Sequence, residues 1–533
     1  VCLVRLLREK MLCSLIVLAC VLAYVCSAVI PSEWQEKIDR YNAFFAEDDT
    51  GKLNTEGYPY NMYLPLIGNG YLSHSKGVRS DTMFISGVFN GETTSPSHRA
   101  RIPALYAVTI PNTTTTGALL DIEDGIYHRR GTFKVSPASS YELSWYAHRS
   151  LRGLYVLELQ VNLDKDTPSI TFAVSNNGGK ESEDIKFEAA VSLSSSTFSQ
   201  CGTTLIPETS TGSTTTVCFV ADSIPSSITI DQSLSGKKLI YVTAYRTSLD
   251  SSSPLDSAKA DYADARTFTD ESNSLFQKHT AEWKNVWQSG IEISGRPDVA
   301  VAVNASLFAI LSSVRSDWPY GLAPGGLTNY YNGHSFWDTE TWMYPPMLFL
   351  HPEISQSLLA YRYNRMDGAR LKAASYSPPW SGMMFPWESA FSGVETCPTF
   401  AATGLREDHI NGDIAIAIWQ EWLMRQDTTW LKNVGYPMLV GIADFWVSRS
   451  VYLSDNKAHI LDIIPPDEYV DHVNDSVYSN FVASKALSYA VQASVILNVT
   501  CDSCAKYQQV SDDLVILFDE KLGIHPEYDG YPG

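Results

Sequence analysis

The 533-residue chain has little positive charge, because 39 Lys and Arg stand against 59 Asp and Glu and give a formal net charge of −20. Phosphate backbones and anionic lipid surfaces repel so acidic a chain, which argues against nucleic-acid and membrane partners. The composition has no signature of collagen, coiled coil or general disorder. A chain of this length allows about three domains with large cores.

Several common catalytic motifs are also missing. Four histidines lack the spacing of metal ligands: His334, His351, His409 and His525. The glycine turns at 68–70 and 325–326 do not continue into the Lys-Ser/Thr of a phosphate-binding loop, and no Gly-x-Ser-x-Gly elbow occurs. The sequence therefore predicts no metal and no cofactor, and it disfavours a serine hydrolase.

The N-terminal hydrophobic run at 12–25 is shorter than the ~20 residues that a membrane span needs. Basic residues precede it and the small residues at 26–28 follow it. We interpret 1–28 as a signal peptide region with a mature start near Val29, the alternative being a buried N-terminal helix. This interpretation predicts the secretory pathway, with an extracellular or lysosomal destination.

Cysteines are few, and four of the nine lie in or before the signal region. Cys201 and Cys218 bracket a Thr/Ser/Gly-rich loop and predict a disulfide. Cys501 and Cys504 predict a local disulfide, with a redox centre as the alternative. The remaining Cys397 is predicted to be a small buried hydrophobic residue. Four Asn-x-Ser/Thr sequons are compatible with passage through an oxidising lumen: Asn112, Asn304, Asn474 and Asn498.

The pattern of the chain changes near residue 265. Before it, short alternating stretches such as 154–159 and 239–244 are separated by Gly, Asn, Pro and Ser/Thr clusters, as in an antiparallel sandwich. After it, Phe276 and Trp283 have the spacing of one helix face. Long apolar-periodic segments then predict an α/α barrel or helical array, at 414–424, 430–451 and 477–497. The predicted regions are a signal region at 1–28, a β-sandwich at 29–265, a helical linker at 266–299 and a helical barrel at 300–533.

Two Trp–acid pairs lie in loop-like sequence, Trp337-Asp338 and Trp387-Glu388. An indole plane beside a carboxylate suits a sugar, because the ring stacks on the C–H face while the hydroxyls donate to the acid. The alternative is that the indoles fill the core and the acids cap helices. These four residues are our candidates for substrate binding.

A third candidate lies in the segment 464–469 (Ile-Pro-Pro-Asp-Glu-Tyr). The two prolines end any helix and hold Asp467 and Glu468 in a loop, with the next helix expected to start near Ser476. A glycosidase needs one carboxylic acid to protonate the leaving oxygen, and Glu468 is our candidate for this general acid. An N-cap or surface acid is the alternative.

Taken in order, these segments resemble glycoside hydrolase family 65. The matching segments are 67–72 (Ile-Gly-Asn-Gly-Tyr-Leu), 333–340 (Gly-His-Ser-Phe-Trp-Asp-Thr-Glu), 385–390 (Phe-Pro-Trp-Glu-Ser-Ala), 409–413 (His-Ile-Asn-Gly-Asp) and 466–469 (Pro-Asp-Glu-Tyr). The resemblance implies a multidomain β plus α fold: an N-terminal antiparallel β-sandwich, a helical linker and an (α/α)6 catalytic barrel.

The resemblance also implies inversion at an α-glucosidic bond, with Glu468 as the general acid and the two Trp–acid pairs holding the terminal glucose. The substrate it favours is the glucosyl-α-1,2-galactosyl unit on hydroxylysine of collagen-like proteins. Hydrolysis of trehalose and phosphorolysis of a disaccharide stay open, because the residues present do not separate the acceptor sugars.

The resemblance further implies a Lys-Gln pair, a general base and a C-terminal domain that the family carries after the equivalent of 525–530. We therefore expect the general base beyond Gly533, and the 533-residue chain by itself to be inactive. A non-catalytic sugar-binding protein is the alternative from another class.

Overall fold

The computed structural model describes residues 30–40, 42–46, 66–75, 82–92, 97–176, 182–268 and 274–532. The predicted signal region at 1–28 lies outside these residues. The described part divides into an N-terminal β-rich half and a C-terminal helical half.

The N-terminal half is built from short antiparallel strands. They are β1 (Ala43–Ala46), β2 (Leu66–Gly68), β3 (Leu72–Ser75), β4 (Thr82–Ile85), β5 (Phe89–Asn90), β6 (His98–Arg99), β7 (Ile102–Pro103), β8 (Val108–Thr109), β9 (Thr113–Asp121), β10 (Ile126–Phe133), β11 (Ser136–Ala147), β12 (Leu154–Asn162), β13 (Ser169–Ala173), β14 (Ser175–Asn176), β15 (Ile185–Phe187), β16 (Val191–Ser192), β17 (Thr197–Thr204), β18 (Thr216–Asp222), β19 (Ser227–Asp231) and β20 (Lys238–Thr247). The large sheet has the order β1-β9-β10-β11-β12-β20-β18-β17-β15, with β16 paired to β17.

Both faces of this large sheet are covered. On one face, Trp145, Tyr155 and Phe219 pack against the four-stranded sheet β2-β3-β4-β7 and the smaller pairs, forming a continuous aromatic core. On the other face, Tyr146 and Val156 contact residues of the first helices after the sheet. The central strand β12 is therefore buried along most of its length. The predicted antiparallel β-domain is confirmed.

The helices lie mostly after the sheet. They are α1 (Ser32–Asp39), α2 (Pro254–Ala265), α3 (Leu275–Val286), α4 (Pro297–Leu311), α5 (Tyr344–Leu350), α6 (Pro352–Tyr363), α7 (Met366–Ala374), α8 (Thr403–Arg406), α9 (Ile410–Arg425), α10 (Thr428–Trp430), α11 (Tyr436–Arg449), α12 (Val477–Leu497) and α13 (Cys504–Asp513). Two short strands follow α11, β21 (Val451–Tyr452) and β22 (Ala458–His459). A π turn at Leu431–Gly435 joins α10 to α11.

Helices α9, α11 and α12 correspond to the three long apolar-periodic segments, so those helix predictions are confirmed. Their buried faces share one core with the other helices of this half. Close approach of α9 and α12 depends on Gly412, since a Cβ there would lie 2.4 Å from Val482 Cγ2. The predicted disulfides Cys201–Cys218 and Cys501–Cys504 are both present, and Cys397 is free and buried.

The β-half and the helical half meet at the glycine turn of β2 and β3. The Gly70 amide donates to the Ser312 carbonyl at 2.8 Å, and a Cβ on Gly70 would lie 2.2 Å from the Val314 oxygen. Gly70 also has φ +85°, a conformation that favours glycine. The Asn69 amide group fixes the turn by donating to the His148 carbonyl at 2.9 Å. This turn, and not a ligand loop, explains the glycines at 68 and 70.

Candidate active site

Backbone pairing brings the two Trp–acid segments together. The first Trp–acid loop (333–340) and the second Trp–acid loop (385–390) exchange two hydrogen bonds: the Ser335 amide donates to the Ser389 carbonyl at 2.7 Å and the Ser389 amide donates back at 3.0 Å. Above this pair, the Phe336 and Trp387 rings meet edge to face with centroids 5.1 Å apart. The two predicted sugar-binding pairs therefore belong to one site.

A buried ion pair supports the first Trp–acid loop. The Arg362 guanidinium contacts the Glu340 carboxylate at 2.7 and 3.0 Å and also donates to the Phe336 carbonyl at 3.1 Å. Glu340 itself lies in a π turn (Thr339–Met343), a geometry that often marks functional sites. Burial raises the pKa of Asp338, whose carboxylate accepts from the Trp342 indole at 3.3 Å.

The second Trp–acid loop is held by a carboxylate that the sequence did not single out. The backbone amides of Trp387 and Glu388 donate to the two oxygens of Glu395, both at 2.9 Å, and Lys372 pairs with the same carboxylate at 2.5 Å. The Glu388 side chain is buried, with its Oε1 2.8 Å from Nδ1 of His334. One oxygen of Glu388 is thus fixed by an imidazole.

The third predicted segment, the Pro-Pro loop (464–469), is attached through its backbone to the turn before α9. The Ile464 amide donates to the Arg406 carbonyl at 3.1 Å, and Ser476 caps the following helix through its side chain. Glu468 is exposed on this loop. Loss of solvation and the charge of Glu407 raise the pKa of Glu468, while His409 opposes the shift. A raised pKa suits a carboxylic acid that must donate a proton near neutral pH.

Glu407 and His409 are parts of the site that the sequence prediction missed. His409 lies between two carboxylates, with Nε2 2.9 Å from Glu407 Oε1 and Nδ1 2.7 Å from Asp413 Oδ2. The Tyr478 hydroxyl donates to the other oxygen of Asp413 at 2.7 Å. Burial disfavours the charged imidazole, but the two carboxylates raise the pKa of His409 to about 9. His409 is therefore an imidazolium at neutral pH.

This buried network lies directly beneath a predicted sugar-binding residue. The Trp337 ring meets the His409 ring edge to face at 4.7 Å, and the Tyr478 ring lies 6.3 Å from Trp337. The signal that could have found the network is the spacing of His409 and Asp413, one helical turn apart at the start of α9. The partner Glu407 has no such local signal.

The β-half also supports the site loops. Arg99 on β6 donates to the carbonyls of Thr328 at 3.1 Å and Gly333 at 2.7 Å, which hold the start of the first Trp–acid loop. Glu208, between β17 and β18, accepts from the amides of Phe391 and Ser392 at 2.9 and 2.7 Å, just after the second Trp–acid loop. Both contacts join residues far apart in sequence, so the sequence pattern does not reveal them.

Within the described ranges, no group of three or more His, Cys, Asp or Glu side chains is arranged to hold a metal ion. No helix in the part of the chain that the structure describes is long and apolar enough to cross a membrane.

The fold is similar to that of a solved structure from the human microbiome assigned as a kojibiose phosphorylase. The two superpose with a TM-score of 0.74 at 17% sequence identity, over 92% of this chain and 72% of that one. This similarity shows the fold class: an antiparallel β-domain followed by a helical half whose loops carry the indoles and carboxylates described above.

Sequence comparisons give the family. A family model described as the glycosyl hydrolase family 65 central catalytic domain matches residues 305–533. The protein-glucosylgalactosylhydroxylysine glucosidase of Dictyostelium discoideum is 37% identical over 519 residues, covering 94% of this chain and 71% of that protein. The chain belongs to glycoside hydrolase family 65. The kojibiose hydrolase of Flavobacterium johnsoniae is 40% identical over 258 residues, covering 48% of this chain and 37% of that protein.

Proposed function

We propose that this protein is an inverting α-glucosidase that releases the terminal glucose of the glucosyl-α-1,2-galactosyl unit on hydroxylysine of collagen-like proteins. The observation that carries the proposal is the 37% identity over 94% of the chain to a glucosidase named for that substrate. The convergence of two Trp–acid loops with an acid of raised pKa supports the same chemistry.

In this proposal Trp337 and Trp387 stack on the terminal glucose, and the carboxylates of Asp338 and Glu388 accept from its hydroxyls. Glu468 then protonates the glycosidic oxygen as the bond to the anomeric carbon breaks. Water attacks that carbon from the opposite side of the ring, where a second carboxylate must remove its proton. The arrangement inverts the anomeric configuration.

Three related reactions are alternative candidates. The similarity to a kojibiose hydrolase favours cleavage of another α-1,2-linked glucoside. An acid trehalase or a disaccharide phosphorylase would bind the terminal glucose through the same residues. Glucose release by the full-length protein should be measured from glucosylgalactosyl-hydroxylysine, kojibiose and trehalose, each with and without inorganic phosphate. The proposal predicts phosphate-independent release that is fastest from the collagen disaccharide. Formation of glucose 1-phosphate would contradict it.

A non-catalytic sugar-binding protein is the candidate from a different class. Such a protein would keep the two Trp–acid loops and bind an α-glucoside without turnover. Calorimetry with kojibiose, run beside the release assay, separates the two. Binding by the full-length protein with no glucose released after prolonged incubation would favour this candidate.

We also propose that the chain enters the secretory pathway, with an extracellular or lysosomal destination. The hydrophobic run at 12–25 and the disulfide between Cys201 and Cys218 support this localisation.

Of the four sequons, Asn474 should stay unmodified, because its side-chain oxygen already accepts from the Asp462 amide at 3.0 Å. A glycopeptide map of protein from eukaryotic cells tests both statements, since a protein with no occupied sequon would contradict the localisation.

A further inference from the structure

We infer that Glu395 is a positioning residue of the proposed glucose-binding site: its carboxylate fixes the backbone from which the side chains of Trp387 and Glu388 reach the sugar. This inference rests on the proposed function, because it assigns a task to a residue that supports the proposed binding pair. Three observations carry it: the donors on the Glu395 carboxylate, the elements that these donors join, and the bonds around Glu388.

The Glu395 carboxylate is occupied by donors of the protein itself. Its Oε1 accepts from the backbone amides of Glu388 at 2.9 Å and Cys397 at 3.1 Å. Its Oε2 accepts from the Trp387 amide at 2.9 Å and from the Lys372 ammonium at 2.5 Å. A carboxylate has about four lone-pair sites, so these donors leave no acceptor position for a sugar hydroxyl. Glu395 therefore acts through the residues that it holds and not by contact with the substrate.

The bonds of Glu395 join the second Trp–acid loop to the segment that follows it and to a helix. The two amides at 387–388 lie in the loop, whereas Glu395 lies on the following segment, where its backbone forms a bridge with Ser389. The Lys372 ammonium comes from α7, and its side chain is only 3% exposed. Other residues of α7 belong to the core of the helical half. The carboxylate therefore fixes the proposed binding residues relative to a packed helix.

The bonds around Glu388 determine which of its atoms a sugar can meet. Its amide donates to Glu395, and its carbonyl accepts from the Thr396 amide at 3.0 Å and the Thr396 hydroxyl at 2.8 Å. Its side-chain Oε1 lies 2.8 Å from Nδ1 of His334. Among the described residues, none bonds the other oxygen, Oε2. Glu388 therefore presents one carboxylate oxygen, whose direction depends on a backbone that Glu395 holds in place.

The test is the Glu395→Gln variant of the full-length protein. A carboxamide keeps the size of the side chain but offers one acceptor oxygen instead of two, so the amides of Trp387 and Glu388 cannot both keep a partner. Binding of D-glucose, measured by calorimetry, should weaken by about 10-fold. KM for glucosylgalactosyl-hydroxylysine should rise by the same factor with kcat almost unchanged, because the terminal glucose is held alike in the ground state and the transition state.

The matched control is Glu421→Gln. Glu421 is a buried carboxylate on α9 that bonds Tyr344 and Ser355, outside the two Trp–acid loops. This variant also removes one buried carboxylate, so it shows how far a general loss of stability alone affects glucose binding. Glucose affinity should stay unchanged in Glu421→Gln.

A double variant separates positioning from stability. In Glu395→Gln the buried Lys372 ammonium loses its charged partner, which should lower the urea midpoint. Adding Lys372→Met removes that buried charge, so the double variant should regain most of the lost midpoint. It should not regain glucose affinity, because the second acceptor oxygen is still missing. The double variant also carries the test if Glu395→Gln does not fold.

The outcomes distinguish the inference from the proposed function. Recovery of glucose affinity together with the urea midpoint in the double variant would overturn the inference, because a purely structural residue behaves in that way. Unchanged glucose binding in Glu395→Gln, or an equal loss in Glu421→Gln, would overturn it as well. If the unsubstituted protein binds glucose but releases none from the collagen disaccharide, the proposed function fails, yet weaker glucose binding in Glu395→Gln would still support the inference.

Discussion

At the scale of single residues, the site depends on carboxylates whose neighbours differ. Glu468 lies on an exposed loop among other negative charges, whereas Glu340 is buried and neutralised by Arg362. Burial raises the pKa of both acids, but only Glu468 is also exposed to solvent. These different environments support the proposed role of Glu468 as the acid and a structural role for Glu340.

The first residue-scale prediction concerns the proposed acid. Glu468→Gln keeps the shape of the side chain and removes the transferable proton, so kcat should fall by about 10²–10⁴-fold while binding of kojibiose persists. Steady-state kinetics with calorimetry checks this outcome. Glu188→Gln, at an exposed acid of the β-half, is the control. Near-normal turnover in Glu468→Gln would show that another group donates the proton.

The second residue-scale prediction concerns the support of the first Trp–acid loop. Arg362→Ala leaves the Glu340 carboxylate buried without a partner, which should lower the free energy of unfolding by about 3–5 kcal/mol. Combining Arg362→Met with Glu340→Leu should recover much of the loss, since no buried charge remains. Urea unfolding measures both variants. Equal destabilisation of the single and the double variant would contradict the explanation.

At the scale of elements, the helical half is organised by close contacts between long helices. Helices α9 and α12 carry His409, Asp413 and Tyr478 at their N-terminal ends, so their packing sets the geometry of the buried network. Gly412 lies between these residues at the point where α12 approaches α9. A change in the distance between the two helices would therefore alter the geometry of this buried network.

The element-scale prediction is a loss of stability in Gly412→Ala. The new methyl group would overlap Val482, so the free energy of unfolding should fall by about 1–3 kcal/mol despite the better helix propensity of alanine. Gly290→Ala is the control, because a Cβ there meets only Trp287 at 3.8 Å. Thermal unfolding followed by circular dichroism compares the two variants. If the Gly412→Ala protein is as stable as the control, α12 can move away from α9 without lowering the free energy of unfolding, which would contradict the prediction.

At the scale of the whole molecule, the two halves share the site. Arg99 and Glu208 reach from the β-half to the loops that carry the proposed sugar-binding residues. Burial lowers the pKa of Arg99 to about 10, still well above neutrality, so the bridging guanidinium remains charged. The β-half is therefore a structural part of the site and not only a neighbour of it.

The whole-molecule prediction is a maximum of stability near pH 6.5. The pKa of His409 is raised to about 9 in the folded state, so its contribution is complete below its unfolded value of about 6.5 and is lost as the pH rises through 9. Burial lowers the pKa of His148 to about 4, so folding loses stability as the pH falls from about 6.5 through 4. Each effect should amount to a few kcal/mol, on the order of 1.4 per pKa unit.

Urea unfolding at several pH values checks this profile. His409→Gln should flatten the alkaline side and leave the acid side in place, because the two slopes arise from different histidines. A stability profile that rises steadily from pH 6.5 to pH 9 would contradict the assignment of His409 as a buried imidazolium.

The sequence determined the features that depend on local pattern. Alternation and turn residues gave the strands of the β-half, and apolar periodicity gave α9, α11 and α12, since each pattern follows from the period of its own element. Cysteine positions were enough to predict both disulfides. The ordered motifs were enough to identify the family, because so many specific segments in one order do not arise by chance. The domain limits and the roles of the five candidate site residues stay predictions.

Only the tertiary structure decided which side chains act together. The pairing of Ser335 with Ser389 joins the two Trp–acid loops, and the Arg406–Ile464 hydrogen bond attaches the Pro-Pro loop to the turn before α9. Glu407 gains its significance from burial beside His409, a property that sequence spacing does not encode. Hydrophobic periodicity and turn signals depend on neighbouring residues in the sequence, whereas burial and charge coupling depend on residues brought together by the fold. The sequence was therefore enough to predict the candidate acid and the candidate indoles, but only the fold shows the buried network around them.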